Sequence, residues 1–136
     1  MAKLGYLYLH KGKWNKQEIV PASWVQLTTS PQADINKDRM LGGLFPPQLL
    51  ATLDTSIFPF SGYGYLWWVN TIPERACYHA SGFGGQHLFI FPDLDMIVIE
   101  TASDEFAPED NPFDRIFGLS GIQLIGNHIL PAVVKL

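Results

Sequence analysis

The chain is short of cysteine, of charge and of long apolar runs. Its 136 residues include one cysteine, Cys77. That excludes an internal disulfide and a cysteine metal cluster, and it leaves the compartment unreadable from thiols. The pattern predicts that Cys77 behaves as a small buried hydrophobe. Charged residues make up 16% of the chain, against about 25% in an average domain. Nine Lys and Arg stand singly among thirteen Asp and Glu, for a net charge of −4. With no basic stripe, nucleic acid is not an expected partner. No run approaches the roughly 18 consecutive apolar residues of a membrane helix. Residues 1–6 lack an apolar stretch followed by a small-residue cleavage site, so no signal peptide is visible. His10, His87 and His128 show no ligand spacing with each other or with acids, so no metal site is expected.

What the chain has instead is apolar bulk. The apolar fraction is 47%, with nine Phe, five Tyr and four Trp. A domain of this size buries roughly two-thirds of its unfolded surface and needs no staples. The composition excludes a disordered chain, a coiled coil and a collagen-like chain. The low charge together with the aromatic load predicts surface that is buried against protein outside this sequence.

Residues 2–11 carry a broad apolar stripe, with Leu4, Leu7 and Tyr8 at helical spacing. No capping residue precedes them, as if the helix were entered from upstream sequence. Gly12 to Asn15 read as a turn. Pro21 opens a second short helix over 22–28. Residues 30–62 are rich in Pro, Gly, Asp and Asn, with one helical turn expected at 49–53. A loop of that length is usually functional or wraps a neighbour. Strands are predicted at 63–69, 76–80, 86–91 and 96–101. Pro92 to Asp95 supply turn chemistry between the last two, which predicts an antiparallel hairpin. Both hairpin strands are apolar on both faces, so the sheet should be covered on both sides. Residues 104–110 read as a solvated acidic linker, with Ca²⁺ binding a thin alternative because the spacing matches no known loop. Asn111, Pro112 and Asp114 start a helix expected to run to Leu130 and stop at Pro131. That helix is apolar nearly all round, so it should be buried on more than one side.

Tyr78-His79-Ala80-Ser81-Gly82-Phe83-Gly84-Gly85-Gln86 is the densest unusual stretch. Its glycines let backbone approach a ligand or supply positive φ. Backbone N–H groups there can address an oxyanion, or the stretch can be a plain Gly-rich hairpin. Ser81 is not in a Gly-x-Ser-x-Gly elbow, because position 79 is His. His79 and Ser81 share a strand face, but no Asp stands after them in an orienting position, so a self-contained triad is not expected. Trp67 and Trp68 alternate across a strand. Core packing is the expected role for them, ahead of a sugar-stacking platform.

From these residues the chain resembles the C-terminal part of the serine β-lactamase and penicillin-binding-protein-like hydrolases, in particular the class C β-lactamase-related esterases and peptidases. The likeness spans most of the chain and rests on motif order. Residues 1–9 are similar to the family's Ala-Lys-[Leu/Phe]-Gly helix. Gly12-Lys-Trp-Asn, Ile19 to Val25 and Thr28 to Gln32 are similar to the stretch after that helix. Gly62-Tyr-Gly-Tyr-Leu-Trp-Trp-Val resembles its Tyr-Gly-Tyr-x-Trp-Trp strand. Ala80 to Gln86 and Phe91 to Ile99 resemble the strand pair behind the active site.

The resemblance implies a site of three motifs: Ser-x-x-Lys, Tyr-x-Asn or an equivalent, and a Lys-Thr-Gly-like triplet on a strand edge. Only the third has a match. Ser81 and Gly82 stand at the Thr and Gly positions, Ala80 replaces the Lys, and His79 precedes it. The N–H of Phe83 would be the second oxyanion donor. The substituted Lys leans away from β-lactam turnover and toward an esterase, amidase or peptidase. No serine has Lys three places on, and no tyrosine has Asn two places on. The nucleophile and its base are therefore missing, and the chain alone should be inactive.

The resemblance also implies a small-molecule or peptide substrate, no cofactor, and a bacterial periplasmic or secreted setting. The alternative is a non-catalytic truncated homologue that binds a partner or itself. A sugar-binding module is a distant third. The expected fold is α+β, a single partial domain over residues 1–136. It should have an antiparallel sheet of three or four strands, one or two short N-terminal helices and a long C-terminal helix on one face. The sheet edge beside 76–82 or 63–69 should be incomplete and open to pairing with a second copy.

Overall fold

The computed structural model describes residues 1–35, 42–43, 47, 62–72, 75–102 and 119–134. Among these the fold is α+β. Helix α1 (Ala2–Leu9) leads into a hairpin of β1 (Lys13–Trp14) and β2 (Gln17–Glu18), then helix α2 (Ala22–Thr28). Six strands come next: β3 (Ala33–Asp34), β4 (Gly62–Tyr63), β5 (Trp68–Thr71), β6 (Ala76–Gly82), β7 (Gln86–Phe91) and β8 (Met96–Glu100). They form one antiparallel meander in chain order. The C-terminal helix is described as α3 (Leu119–Leu124), a π segment (Ile125–Ile129) and α4 (Leu130–Val134).

The sheet has six strands rather than three or four because short pairings at Ala33–Asp34 and Gly62–Tyr63 extend it. The expected strand over 63–69 is broken in two. Gly64 N–H donates to the Trp67 carbonyl and closes a turn, with Leu66 held at φ 68°. Residues 13–18 form a small hairpin instead of a bare turn. Asn15 and Lys16 both have positive φ, which matches the twist of a two-residue hairpin loop. Pro92–Leu94 is a 3₁₀ turn, and Asp95 takes the left-handed conformation that re-enters β8.

The C-terminal helix does not stop at Pro131. Leu130 N–H donates to the Ile125 carbonyl, five residues back. That wider π turn, just before the proline, accommodates a residue that cannot donate and would crowd an ordinary α turn. The expected helix start at 111–114 lies outside the described residues. So do the acidic linker at 104–110, the helical turn at 49–53 and most of the 30–62 loop.

The hairpin expectation holds. β7 pairs β8 antiparallel, from Phe91↔Met96 to His87↔Glu100. Alternate residues enter two separate cores. Leu88, Ile90, Tyr78 and Trp67 pack under α1, with Tyr8, Leu9 and Ile97 beside them. Phe89, Phe91, Cys77 and Ile72 pack against Ile122, Ile125 and Leu130 of the C-terminal helix. Both faces of the sheet are therefore covered. Trp67 and Trp68 divide between the two cores, as alternation requires. Burying Leu88, Phe89, Ile90 and Phe91 is worth about 1.5–3 kcal/mol each. Cys77 is buried, and burial pushes its thiol up to about 12, with Asp93 adding to the shift.

Two glycines are needed for close approach. A Cβ on Gly12, which sits at φ 84°, would strike the Val20 carbonyl. A Cβ on Gly64 would strike the Thr28 carbonyl, which itself accepts from Tyr65 N–H at 3.0 Å. Both obstacles are backbone and cannot rotate away. Gly12→Ala and Gly64→Ala should each destabilise the fold by about 2–4 kcal/mol. A urea titration followed by circular dichroism checks this, and unchanged midpoints would refute it.

Candidate functional site

The singled-out stretch occupies the end of β6 and the turn into β7. β6 pairs β7 through Gly82↔Gln86, but it pairs β5 only as far as Trp68↔His79. Ala80, Ser81 and Gly82 thus extend past the end of β5, with a strand on one side only among the described residues. The expectation of an incomplete edge beside 76–82 needs correction in extent. Among the described residues the edge is unpaired at 80–82, while 76–79 is interior. Of the 63–69 segment, Tyr63, Trp68 and Val69 are flanked on both sides by strands. Among the described residues the outer strands of the sheet are β3 and β8.

Burial falls steeply along this stretch. His79 is 0% exposed, Ala80 and Ser81 are half-buried, and Phe83 is 65% exposed. Gly84 and Gly85 come next at φ 76° and 79°, where an L side chain would be strained, and they return the chain into β7. The structure thus brings Ala80 to Phe83 together at a solvent-facing corner. His79 lies beneath that corner, with its ring stacked on Phe89 at 4.5 Å between centroids.

His79 is held by a short hydrogen bond. The Asn70 amide N–H donates to His79 Nδ1 at 2.6 Å. An acceptor Nδ1 implies a neutral ring with its proton on Nε2. Burial agrees with this and lowers the His79 pKa to about 3, with nearby His87 contributing. His79 is therefore a neutral, packed histidine at ordinary pH. It is not a proton carrier exposed to substrate.

The register places a polar row on the sheet face that meets the C-terminal helix. Ser81 on β6, His87 on β7 and Glu100 on β8 are directly opposite one another. Cβ atoms in such rows lie about 4.5–5.5 Å apart. His87 is fully buried. The Glu100 carboxylate occupies the space a side chain at Gly121 would need, so it sits against the C-terminal helix. This row links the exposed triplet to the helix layer behind it. The sequence alone did not single out His87 or Glu100 for it. Two turn positions contain the signal, because tight turns at 83–85 and 92–95 set the register 81↔87↔100.

On the other face, Tyr78 Oη donates to the Tyr8 carbonyl at 3.2 Å and ties α1 to β6. Burial raises the Tyr78 phenol to about 12. Trp24 and Tyr65 stack with centroids 6.0 Å apart on the surface, and Leu66 is 82% exposed. Among the described residues, no three His, Cys, Asp or Glu side chains gather as a metal site would require. No known protein-family description matches the chain, and no curated protein is significantly similar to it.

A neutral buried histidine makes stability pH-dependent. Below about pH 6.5 the unfolded chain protonates His79 while the folded chain does not, down to about pH 3. The stability that depends on neutral His79 is therefore fully present above pH 6.5 and falls as pH drops toward 3. Urea unfolding at pH 7, 5.5 and 4 should show this loss, and His79→Gln should flatten it. An equal pH slope in both proteins would remove His79 as the cause.

Proposed function

We propose that the chain is the C-terminal part of a β-lactamase-related serine hydrolase of the acyl-serine esterase, amidase or peptidase type. The sheet between α1 and the C-terminal helix is read as part of a β-lactamase-like fold. The observation that carries the reading is β6 extending past β5. Among the described residues it leaves the Ala80-Ser81-Gly82 backbone without a strand on one side. An extended substrate acyl or peptide group can hydrogen-bond there as an added strand. Phe83 N–H, at the start of the turn, is the proposed oxyanion donor. A backbone donor already fixed by a paired hairpin needs no reorganisation when charge develops.

Ser81 is assigned to substrate contact rather than attack. Its row continues into a fully buried His87, and the chain has no Ser-x-x-Lys. The acylated serine and its base belong to sequence that this chain does not contain. Acyl transfer through serine needs no cofactor.

The isolated chain should release no product from a chromogenic ester or a β-lactam. A short acyl-peptide ester should still shift the backbone amide resonances of Ser81 and Phe83 in a heteronuclear NMR titration. Turnover by the chain alone that survives Ser81→Ala would overturn the reading. So would resonances at 80–83 that do not move while others do.

A further inference from the structure

We propose that the groove between α1 and the β1–β2 hairpin binds a small amphipathic anion, an apolar chain ending in one carboxylate. Leu4, Leu7, Trp14 and Ile19 line this groove together with Lys3, and it holds about 430 Å³. Small-molecule sites span roughly 300–1,000 Å³ and combine apolar walls with a few placed polar groups. Here four of the lining side chains are apolar and the fifth is a cation. Such a set suits a ligand whose apolar chain lies against the walls and whose negative end meets Lys3.

The walls are set before any ligand arrives. Gly12 N–H donates to the Leu7 carbonyl at 2.7 Å, and the Gly12 carbonyl accepts from Ile19 N–H at 2.9 Å and Val20 N–H at 3.1 Å. These three bonds fasten the hairpin to the end of the helix. Tyr6 meets Trp14 edge-on, with centroids 5.1 Å apart, and its ring lies 4.1 Å from that of His10. The indole is thereby held from the helix side. A groove with both walls tied loses little freedom when it binds. Leu4 is 47% and Ile19 54% exposed. A single exposed apolar side chain needs no explanation, but these two converge with Leu7 and Trp14 on one concavity. An apolar ligand there removes both from water.

Charge selects the sign of the ligand. Residues 1–20 hold four of the nine Lys and Arg and one of the thirteen Asp and Glu. Lys3, Lys11, Lys13 and Lys16 are all exposed. The one acid, Glu18, stands opposite Lys13 in the hairpin. The rest of the chain carries the excess of acid, so this corner is where an anion is drawn. The same lysines argue against a protein seam as the occupant, because closing an ammonium off from water without a carboxylate is costly. A membrane surface fits less well too. A helix lying on a membrane puts its apolar face into lipid, and Gly5, Tyr8 and Leu9 of α1 already face the sheet. What remains is a concave slot beside a cation. The site is independent of the hydrolase reading and stands or falls separately from it.

Decanoate, kept below its micelle concentration, should saturably shift the Trp14 indole and Ile19 methyl resonances of the chain in an NMR titration. Trp14→Phe identifies the indole signal. Decyltrimethylammonium, with the same chain and the opposite charge, should leave both resonances in place. Shortening the acid should weaken binding about threefold for each methylene removed. Lys3→Gln, at an exposed position, should weaken decanoate binding by roughly two- to fivefold. If that variant does not fold, the comparison of the two head groups on the parent chain decides alone. No saturation by about 10 mM, tenfold above a millimolar site, overturns the proposal. So do equal responses to the two head groups, indifference to chain length, or a folded Lys3→Gln chain that binds as the parent does. Capture by phosphatidylglycerol vesicles without any response to monomeric decanoate also overturns it, in favour of a membrane surface.

Discussion

The structure depends on β7 being apolar on both faces. His-Leu-Phe-Ile-Phe gives the strand no solvent side, so every residue from His87 to Phe91 must be covered. A sheet with such a strand inside it cannot be a two-layer fold with one wet face. It requires a layer above and a layer below. α1 and the C-terminal helix are those layers, and the neighbouring strands inherit the same division. Phe89 and Phe91 commit Cys77 and Ile72 to one core, while Leu88 and Ile90 commit Tyr78 and Trp67 to the other.

That constraint also shapes the site. A strand buried on both sides leaves solvent access only at its ends. Among the polar residues that enter the buried region, Asn70 bonds His79, Thr28 bonds the Val25 carbonyl, and Ser81, His87 and Glu100 stand opposite one another across three strands. Placing a polar group in a dry interior is tolerable only when it has a partner. The corner at Ala80 to Phe83 is where the sheet changes from obligatory burial to exposure. It does so because β5 starts late, after the turn that Gly64 closes.

The elements dominated by local chemistry were legible in the sequence. The second helix begins after Pro21 and covers the expected residues, and the hairpin of β7 and β8 arises from apolar runs around a Pro-Asp turn. The covering of both sheet faces was readable from the same runs. What could not be read depends on contacts distant in sequence. The break between Tyr63 and Trp68 arises from the Thr28 carbonyl lying against Gly64, and nothing in an aromatic run announces that. The short pairing of Ala33–Asp34 with Gly62–Tyr63 joins residues almost thirty apart and carries no β-rich signature. Passage of the C-terminal helix through Pro131 needs the π segment before it, which has no marker residue. For the site, the Gly-rich stretch marked the turn between β6 and β7. The depth of His79 was not evident, because a histidine in a strand reads the same whether buried or exposed. The family resemblance remains the basis of the functional proposal, supported by the backbone at 80–82, which among the described residues has no strand on one side.

Adjacent Trp67 and Trp68 have an optical consequence. The two indoles are neighbours in the chain but sit in different cores, one with Tyr8 and Tyr78 and the other with Tyr63 and His79. Each therefore senses a different helix layer. Loosening of α1 alters the surroundings of Trp67, while loosening of the C-terminal helix alters those of Trp68. A chain in which Trp14, Trp24 and one of the pair are replaced by Phe becomes an optical gauge of a single layer. The pair makes it possible to ask whether the two halves of the sandwich come apart together.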